Sequence, residues 1–397
     1  MISVAEARAR ILAALTPVAA EILGLEAAFG RVLAAPLQAR LTQPPADMSA
    51  MDGYAVRAAE AQAGADLRLI GEAPAGRPFA RALEAGETVR IFTGSVMPAG
   101  ADSVLLQEDA VARDGGIVRV QENCQPGRHI RRQGQDFMAG DALLPAGRRL
   151  SARDLGLAAA ANHPWLGVRR KPQVALLCTG DEIALPGEAL GPGGVVNSNA
   201  AMLAALVAQY GGTVRLLPPA RDDASAIAAG VAAAYGADLL VTTGGASVGA
   251  HDLVQAGLAA HDFALDFWKI AMRPGKPLIF GQAGALPVLG LPGNPVSAFV
   301  CAQLFLRPAL ARLAGADDAA LPVFETARLG AALGPAGSRE EFLRADLIWA
   351  DGAWVATALP VQDSAMLSAL ARAGALIRRP VGAPSLAAGA AVEIIRL

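Results

Sequence analysis

The sequence predicts an α/β multidomain protein built around a doubly wound, mostly parallel sheet over residues 171–316. Strand-like and helix-like runs alternate from 172 to 312, the pattern of a parallel sheet covered by helices. Three strand-like runs in that stretch pass into glycine-bearing loops, at 175–182, 238–252 and 287–295. The 397-residue length asks for further domains, because single cores rarely grow past about 250–300 residues. The rest of the chain divides into a helical linker unit (1–40 with 141–170), an inserted β-rich module (41–140) and a small C-terminal β domain (317–397), a barrel or a sandwich.

In chain order, residues 3–15 have helical spacing with Ser3 as N-cap and Pro17 as stop, and a second helix is expected around 25–35. From Leu41, short β-like pieces (LRLIG, ETVRIFTG, DSVLLQED, GIVRVQ) alternate with glycine and proline. This module carries three polar loops, SAMDGYAV (49–56), TGSVMPAGAD (93–102) and GRHIRRQGQD (127–136); Asp52-Gly53 reads as a tight turn. DLGLAAAANH (154–163) is helical and ends before Pro164. In the doubly wound part, QVALL, TVRLL, DLLVTT, FWKIAMRPGKPLIFGQ and PVLGL supply strands. NSNAAMLAALVAQYGG is a helix capped by Ser198 or Asn199 and stopped at Gly211, and ASAIAAGVAAAYG, DLVQAGLAA and PVSAFVCAQLFLRPALARL are helices. From Leu321, FETARLG, EEFLRADLIW, AWVATAL and AVEIIRL are β again.

Composition excludes several classes. A net charge of −2 argues against nucleic acid or an anionic membrane as partner. Cys124, Cys178 and Cys301 are odd in number and lack CxxC spacing, so neither a disulfide framework nor a zinc site is signalled; a cytoplasmic location fits. Charges at Glu6, Arg8 and Arg10 interrupt any secretory core. The uncharged run 277–306 is broken by glycines and prolines, and its unbroken remainder, 296–306, falls short of the ~20 residues a membrane span needs. There are only three lysines (Lys171, Lys269, Lys276) against 31 arginines, and two of them lie within eight residues of each other. A compact ammonium and a planar guanidinium are not interchangeable at a crowded oxyanion site.

The three glycine loops fall at the carboxyl ends of strands, where ligands bind in doubly wound sheets. Gly245-Ala246-Ser247-Val248-Gly249 has the G-x-S-x-G form of a nucleophile elbow, which also demands a late histidine. The four histidines (129, 163, 251, 261) all precede the last third, so a serine triad is disfavoured. The alternative is an anion loop: Gly244 and Gly245 let backbone N–H groups face a phosphate ahead of a helix N-terminus. GxGxxG and GxxxxGK[ST] are absent. Asp181, Glu182, Asp222, Asp223 and Asp252 gather at the same strand ends. Asp222, Asp223 and Asp252 have a second reading as helix caps; beside an anion loop, a magnesium ion would join such carboxylates to a phosphate. Lys269, Arg273 and Lys276 add positive charge, and PGKP and LPGNP stiffen their loops.

In order along the chain, SAMDGYA (49–55), TGSVMP (93–98), RRQGQD (131–136), TGDE (179–182), TGGASVGAHD (243–252), PGKP (274–277) and LPGNPVSA (291–298) resemble the molybdopterin molybdenumtransferase family, MoeA and the gephyrin E domain. The resemblance spans nearly the whole chain. It implies a four-part homodimer whose doubly wound domain is of molybdopterin-binding type and whose C-terminal part is a β-barrel. The implied reaction is the last step of molybdenum cofactor synthesis: molybdate is inserted into adenylylated molybdopterin, the adenylyl phosphoanhydride is cleaved, and AMP leaves. Mg2+ is the implied ion, and the upstream adenylyltransferase and recipient molybdoenzymes are implied partners.

By the same resemblance, Glu182, Asp222 and Asp252 hold magnesium or the attacking water, and Lys269 and Lys276 bind molybdate or phosphate. Pro292 and Pro295 match the rigid loop, while Asp52, Thr93 and Asp136 reach the ligand from the partner subunit. Gly244, Gly245 and Ser247 belong to the anion loop, with Ser247 as a hydrogen-bonding residue. Gln135, His251 and the loop QDSAMLS (362–368) depart from the family's usual residues. Two other readings stand beside this one: an adenylyltransferase, which needs only the doubly wound domain, and a non-catalytic molybdopterin-binding scaffold.

Overall fold

The structure, a computed structural model, describes residues 1–244, 250–316 and 322–397, the side chains of 250–253 excepted. At its centre is a six-stranded sheet in the order Thr213–Leu216, Gln173–Cys178, Leu239–Thr243, Leu286–Leu291, Ile279–Ala283, Phe263–Trp268. The first four strands are parallel, and the last two run antiparallel to their neighbours. Alternate residues of the central strands enter opposite cores. Val174, Leu176, Leu239 and Val241 pack on one face; Ala175, Leu177 and Leu240 pack on the other. That double burial is why these strands read as continuous apolar runs.

Helix ends follow their capping chemistry. Ser3 caps Val4–Ala14 through the Glu6 N–H, and Asp223 caps Ala224–Ala234 through the Ala226 N–H. The helix Ser198–Gln209 is capped by Asn197, not by Ser198 or Asn199 as expected, because the Asn197 side chain already accepts the Ala200 N–H. The helical run Pro295–Leu313 is long and apolar enough to cross a membrane, but 83% of its apolar window is buried inside the protein. It holds a π-helical turn at Ala302–Leu306, ending two residues before Pro308, which cannot donate to an ordinary i−4 bond.

The β module is a second six-stranded sheet containing Gly53–Val56, Glu87–Ile91 and Ser103–Leu106. Gly53 opens a strand paired on both sides, so Asp52-Gly53 is a strand entry and not the expected tight turn. The C-terminal strands close on themselves. Glu340–Ala350 pairs with Ala353–Ala358 and with Ala375–Arg379, and Glu325–Leu329 with Ala391–Arg396 completes the barrel around Ala327, Ala345, Ala356, Ile377 and Ile394.

Packing around residues 1–40 differs from the expected helical unit. Val4, Ala7 and Ile11 bury into the doubly wound core, because the helix Val4–Ala14 has its apolar face against the helix Arg307–Leu313 and its neighbours. Ala20–Gly24 pairs as a strand with Trp165–Arg169, and the expected second helix is a single turn, Leu25–Ala28. The short strand Met272–Arg273 leaves the doubly wound region and pairs with Glu340–Glu341 of the barrel. That contact ties the barrel to the loop that carries Lys276.

Candidate active site

A cleft of about 650 Å³ opens beyond the carboxyl ends of the parallel strands. Cys178, Thr179 and Glu182 line it after one strand, Thr243 and Gly244 after the next, and Pro292, Gly293, Asn294 and Pro295 after the third. The helix start 197–199 forms a further wall.

The floor is locked by buried polar contacts. Asn199 Nδ2 donates to Thr243 Oγ1 (2.9 Å) and to the Gly293 carbonyl (2.7 Å), and Thr243 Oγ1 donates to the Pro292 carbonyl (3.1 Å). One amide thus fastens two strand-end loops to a helix start. Asn199 Oδ1 and Thr179 Oγ1 are buried and, among the described residues, unpaired. Gly244 has φ +101°, and a Cβ on it would stand 2.1 Å from the Thr179 carbonyl oxygen. Only glycine allows the loop to pass so close to the neighbouring strand end.

Among the described residues, Glu182 is the carboxylate that lines the cleft, with Asp181 and Asp222 beside it. Glu182 folds back over Gly180, where a Cβ would lie 2.7 Å from Glu182 Oε2. Asp181 accepts the Asp222 N–H at 3.2 Å. Burial, and then the charges of Glu182 and Asp181, push the Asp222 carboxyl above its usual range. Asp222 therefore carries negative charge that its protein neighbours do not neutralise. Asp223, by contrast, is spent on its helix cap, and its hydrogen bonds, first from Ser225, pull it below the usual carboxylate range. The Cys178 thiol is pushed up by burial.

Other expected residues lie elsewhere. Lys269 is half-buried at φ +97°, its Nζ 3.6 Å from the centroid of the Trp268 ring. Lys276 is exposed, one residue from Pro277 on the cleft wall. In the β module, Asp52 Oδ1 accepts both the backbone N–H (2.7 Å) and the hydroxyl (2.9 Å) of Thr93, and the Thr93 N–H above all draws its carboxyl below the usual range. Asp136 lines a separate hollow of about 560 Å³ with Gly94 and Arg131. Gly245, Ser247 and the Asp252 side chain lie outside the described residues. Among the described residues, no group of three His, Cys, Asp or Glu side chains is arranged to hold a metal ion.

Two contributors were not singled out in the sequence. Asn199 competes with Ser198 for the role of cap, and only the Asn197 cap releases it for the site. The C-terminal barrel domain supplies Ala365 and Leu367 to the cleft; Ser364 Oγ accepts from Asn294 Nδ2 (3.0 Å), and its carbonyl accepts the Val296 N–H (3.1 Å). The departure already noted at 362–368 was the available signal.

A doubly wound sheet with a glycine-looped cleft at its strand ends, joined to a β module and a closed barrel, defines a small-molecule-binding protein of the molybdopterin-binding architecture. Residues 2–162 match the MoeA N-terminal region (domains I and II), 175–312 a probable molybdopterin-binding domain, and 326–397 the MoeA C-terminal region (domain IV). The chain is 36% identical over 387 residues to a molybdopterin molybdenumtransferase from Nostoc, covering 95% of this chain and 88% of that one. It is 36% identical to molybdopterin molybdenumtransferase 2 of Mycobacterium tuberculosis, covering 93% of each. A solved molybdopterin biosynthesis MoeA protein from Pyrococcus horikoshii superposes with a TM-score of 0.86 at 28% identity, over the full length of both. The chain belongs to the molybdopterin molybdenumtransferase (MoeA) family.

Proposed function

We propose that this protein is a transferase of molybdenum cofactor biosynthesis that inserts molybdate into adenylylated molybdopterin. Membership of the family over nearly the whole chain supports the reaction class. The observation that carries the site assignment is Glu182 on the cleft wall with the Gly244 loop, at the strand ends, with Asp222 crowded by its charge.

In this reading the adenylyl phosphate lies against Gly244, and Glu182 Oε takes the proton of the attacking water. The new P–O bond forms as the anhydride P–O bond breaks, so AMP leaves with the water oxygen and the pterin keeps its own phosphate. Asn199 and Thr243 keep the loops from shifting during that displacement, since small misplacements cost rate steeply. Oxygen donors with unmatched negative charge suit Mg2+. Glu182 and Asp222, with Asp252, would hold it, and it would supply charge neutralisation at the phosphate. Lys269 and Lys276 do not line the cleft, and Lys276, next to Pro277 on its wall, is the nearer of the two in sequence; both would offset oxyanion charge of molybdate or phosphate.

Asp52, Thr93 and Asp136 lie on a different module from the cleft; in a homodimer they would meet the partner's ligand. The buried, unpaired cysteines suit a reducing cytoplasm. The upstream adenylyltransferase and recipient molybdoenzymes are the expected handover partners.

The test is AMP release from adenylylated molybdopterin by purified protein with Mg2+, with and without molybdate. Molybdate-stimulated release is expected, and its absence overturns the assignment. Pyrophosphate release from ATP with free molybdopterin would instead mark an adenylyltransferase.

A further inference from the structure

The helix that starts at Pro295 begins without the cap its sequence offers. Asn294 holds the N-cap position with extended backbone, and asparagine is among the best capping residues, yet its side chain makes no bond to its own helix. Its Nδ2 donates instead to Ser364 Oγ of the barrel domain at 3.0 Å. Pro295 has no N–H, so the first free donor of the helix is the Val296 N–H, and the Ser364 carbonyl accepts it at 3.1 Å. Ser364 therefore caps the helix with its backbone and holds the cap residue with its side chain.

The loop that carries Ser364 is preformed within the barrel domain. The buried Arg344 guanidinium donates to the carbonyls of Val361 (3.1 Å), Asp363 (2.8 Å) and Met366 (3.1 Å). Gln362 accepts the Arg344 N–H at 3.0 Å and donates to the Arg344 and Leu359 carbonyls, both at 2.9 Å. Asp363 Oδ1 accepts the Ala365 N–H at 2.8 Å. Just beyond the loop, Leu370 is buried in the core of the doubly wound domain.

A loop fixed on one side by its own domain and on the other by a helix start gives the cleft a defined wall. That wall is apolar, Ala365 and Leu367, whereas the strand ends supply Thr179, Glu182 and Asn199. In ligand pockets, polar groups fix orientation and apolar side chains cover ring faces.

We infer that Asn294 and Ser364 form a latch that sets the barrel wall of the cleft, and that this wall covers the adenine ring of the bound nucleotide. Asn294 is a positioning residue, acting through Ser364 on Ala365 and Leu367. The identity of the ring rests on the proposed function; the latch rests on the geometry.

The test is calorimetric titration of the full-length protein with AMP and with ribose 5-phosphate, which lacks the ring. Asn294→Ala and Ser364→Ala should each weaken AMP binding about threefold to tenfold, the range of one hydrogen bond. The double variant should be no weaker than the weaker single one, because both delete the same contact. Ser364→Thr keeps the hydroxyl and should keep the affinity, and ribose 5-phosphate should bind all variants alike. Because Asn294 makes no bond to its own helix, Asn294→Ala should leave the melting temperature unchanged. Amide hydrogen exchange without ligand reads the latch separately: residues 361–370 should exchange faster in both single variants. Unaltered AMP affinity, losses that multiply in the double variant, or equal losses for ribose 5-phosphate overturn the assigned wall, and unaltered exchange overturns the latch. If the unsubstituted protein binds no AMP, the functional reading fails and exchange alone decides the latch.

Discussion

Two aspartates, one beside the strand-end cleft and one on the β module, are held in opposite ways. Asp222, at the strand ends, is pushed above its usual range by burial and by Glu182 and Asp181. Asp52, on the exposed β module, is pulled below it by the hydrogen bonds from Thr93. A carboxylate that its surroundings penalise is one that an added cation or proton would stabilise. A carboxylate that already accepts two hydrogen bonds serves to fix a loop. Asp222 is therefore a carboxylate that a bound cation would stabilise, whereas Asp52 is already satisfied within its own module.

The contrast can be tested in order of expected effect. Gly244→Ala should be the most damaging, since its Cβ would collide with the Thr179 carbonyl at 2.1 Å in a left-handed backbone conformation. A loss of about 3–5 kcal/mol in urea unfolding is expected, with AMP release abolished. A well-folded, active Gly244→Ala protein would show that the strand-end loop is not rigid. Next, Glu182→Gln should lower kcat by about 10²–10³ while ligand affinity changes little, because it removes proton transfer and leaves the loop in place. An unchanged kcat would take Glu182 out of the reaction.

Asn199→Ala deletes one buried and one partly buried hydrogen bond and should cost about 1–3 kcal/mol of stability, with kcat falling about tenfold. A fall in stability with undiminished kcat would confine Asn199 to structure. The smallest effects are the paired titrations. Asp222 has a raised folded pKa, so its ionised form costs native stability above that pKa, and the cost vanishes as pH falls below the ordinary carboxylate value. Asp222→Asn should thus slightly raise the apo-protein's melting temperature at pH 7 and leave it unchanged near pH 3.5. Asp52 has a depressed folded pKa, so its contribution is present above the ordinary value and lost as pH falls through the folded one. Asp52→Ala should slightly lower the melting temperature at pH 7 and not near pH 2. Equal signs for the two substitutions in calorimetric scans across pH would erase the distinction.

The extent to which the site was legible varies by residue for physical reasons. Glycine and proline write backbone constraints into the sequence directly, so the loops at Gly244 and Pro292–Pro295 could be located from residue type alone. Glu182 and Asp222 could be placed at strand ends by the strand–helix alternation, but their mutual perturbation depends on a crossover between non-neighbouring segments. Asn199 was obscured because three successive polar residues, 197–199, can each serve as an N-cap, and local chemistry does not choose among them. Residues 362–368 were conspicuous, yet nothing in their own sequence brings Ser364 to Asn294. The first helix was predicted correctly as a helix, but its apolar face fits more than one core, and only the assembled chain selects the doubly wound one.

The sequence by itself determined the element types of the central sheet, the strand-end location of the glycine loops, the family, and the scarcity of lysine. These follow from periodicity, backbone freedom and composition, which are local or additive properties. The tertiary structure alone decided that Asn199 clamps two loops, that Asp222 is perturbed by burial and by Glu182 and Asp181, and that the C-terminal barrel domain closes one wall of the cleft. Each of these depends on distances between segments far apart in the chain, and electrostatic and hydrogen-bond energies depend on those distances.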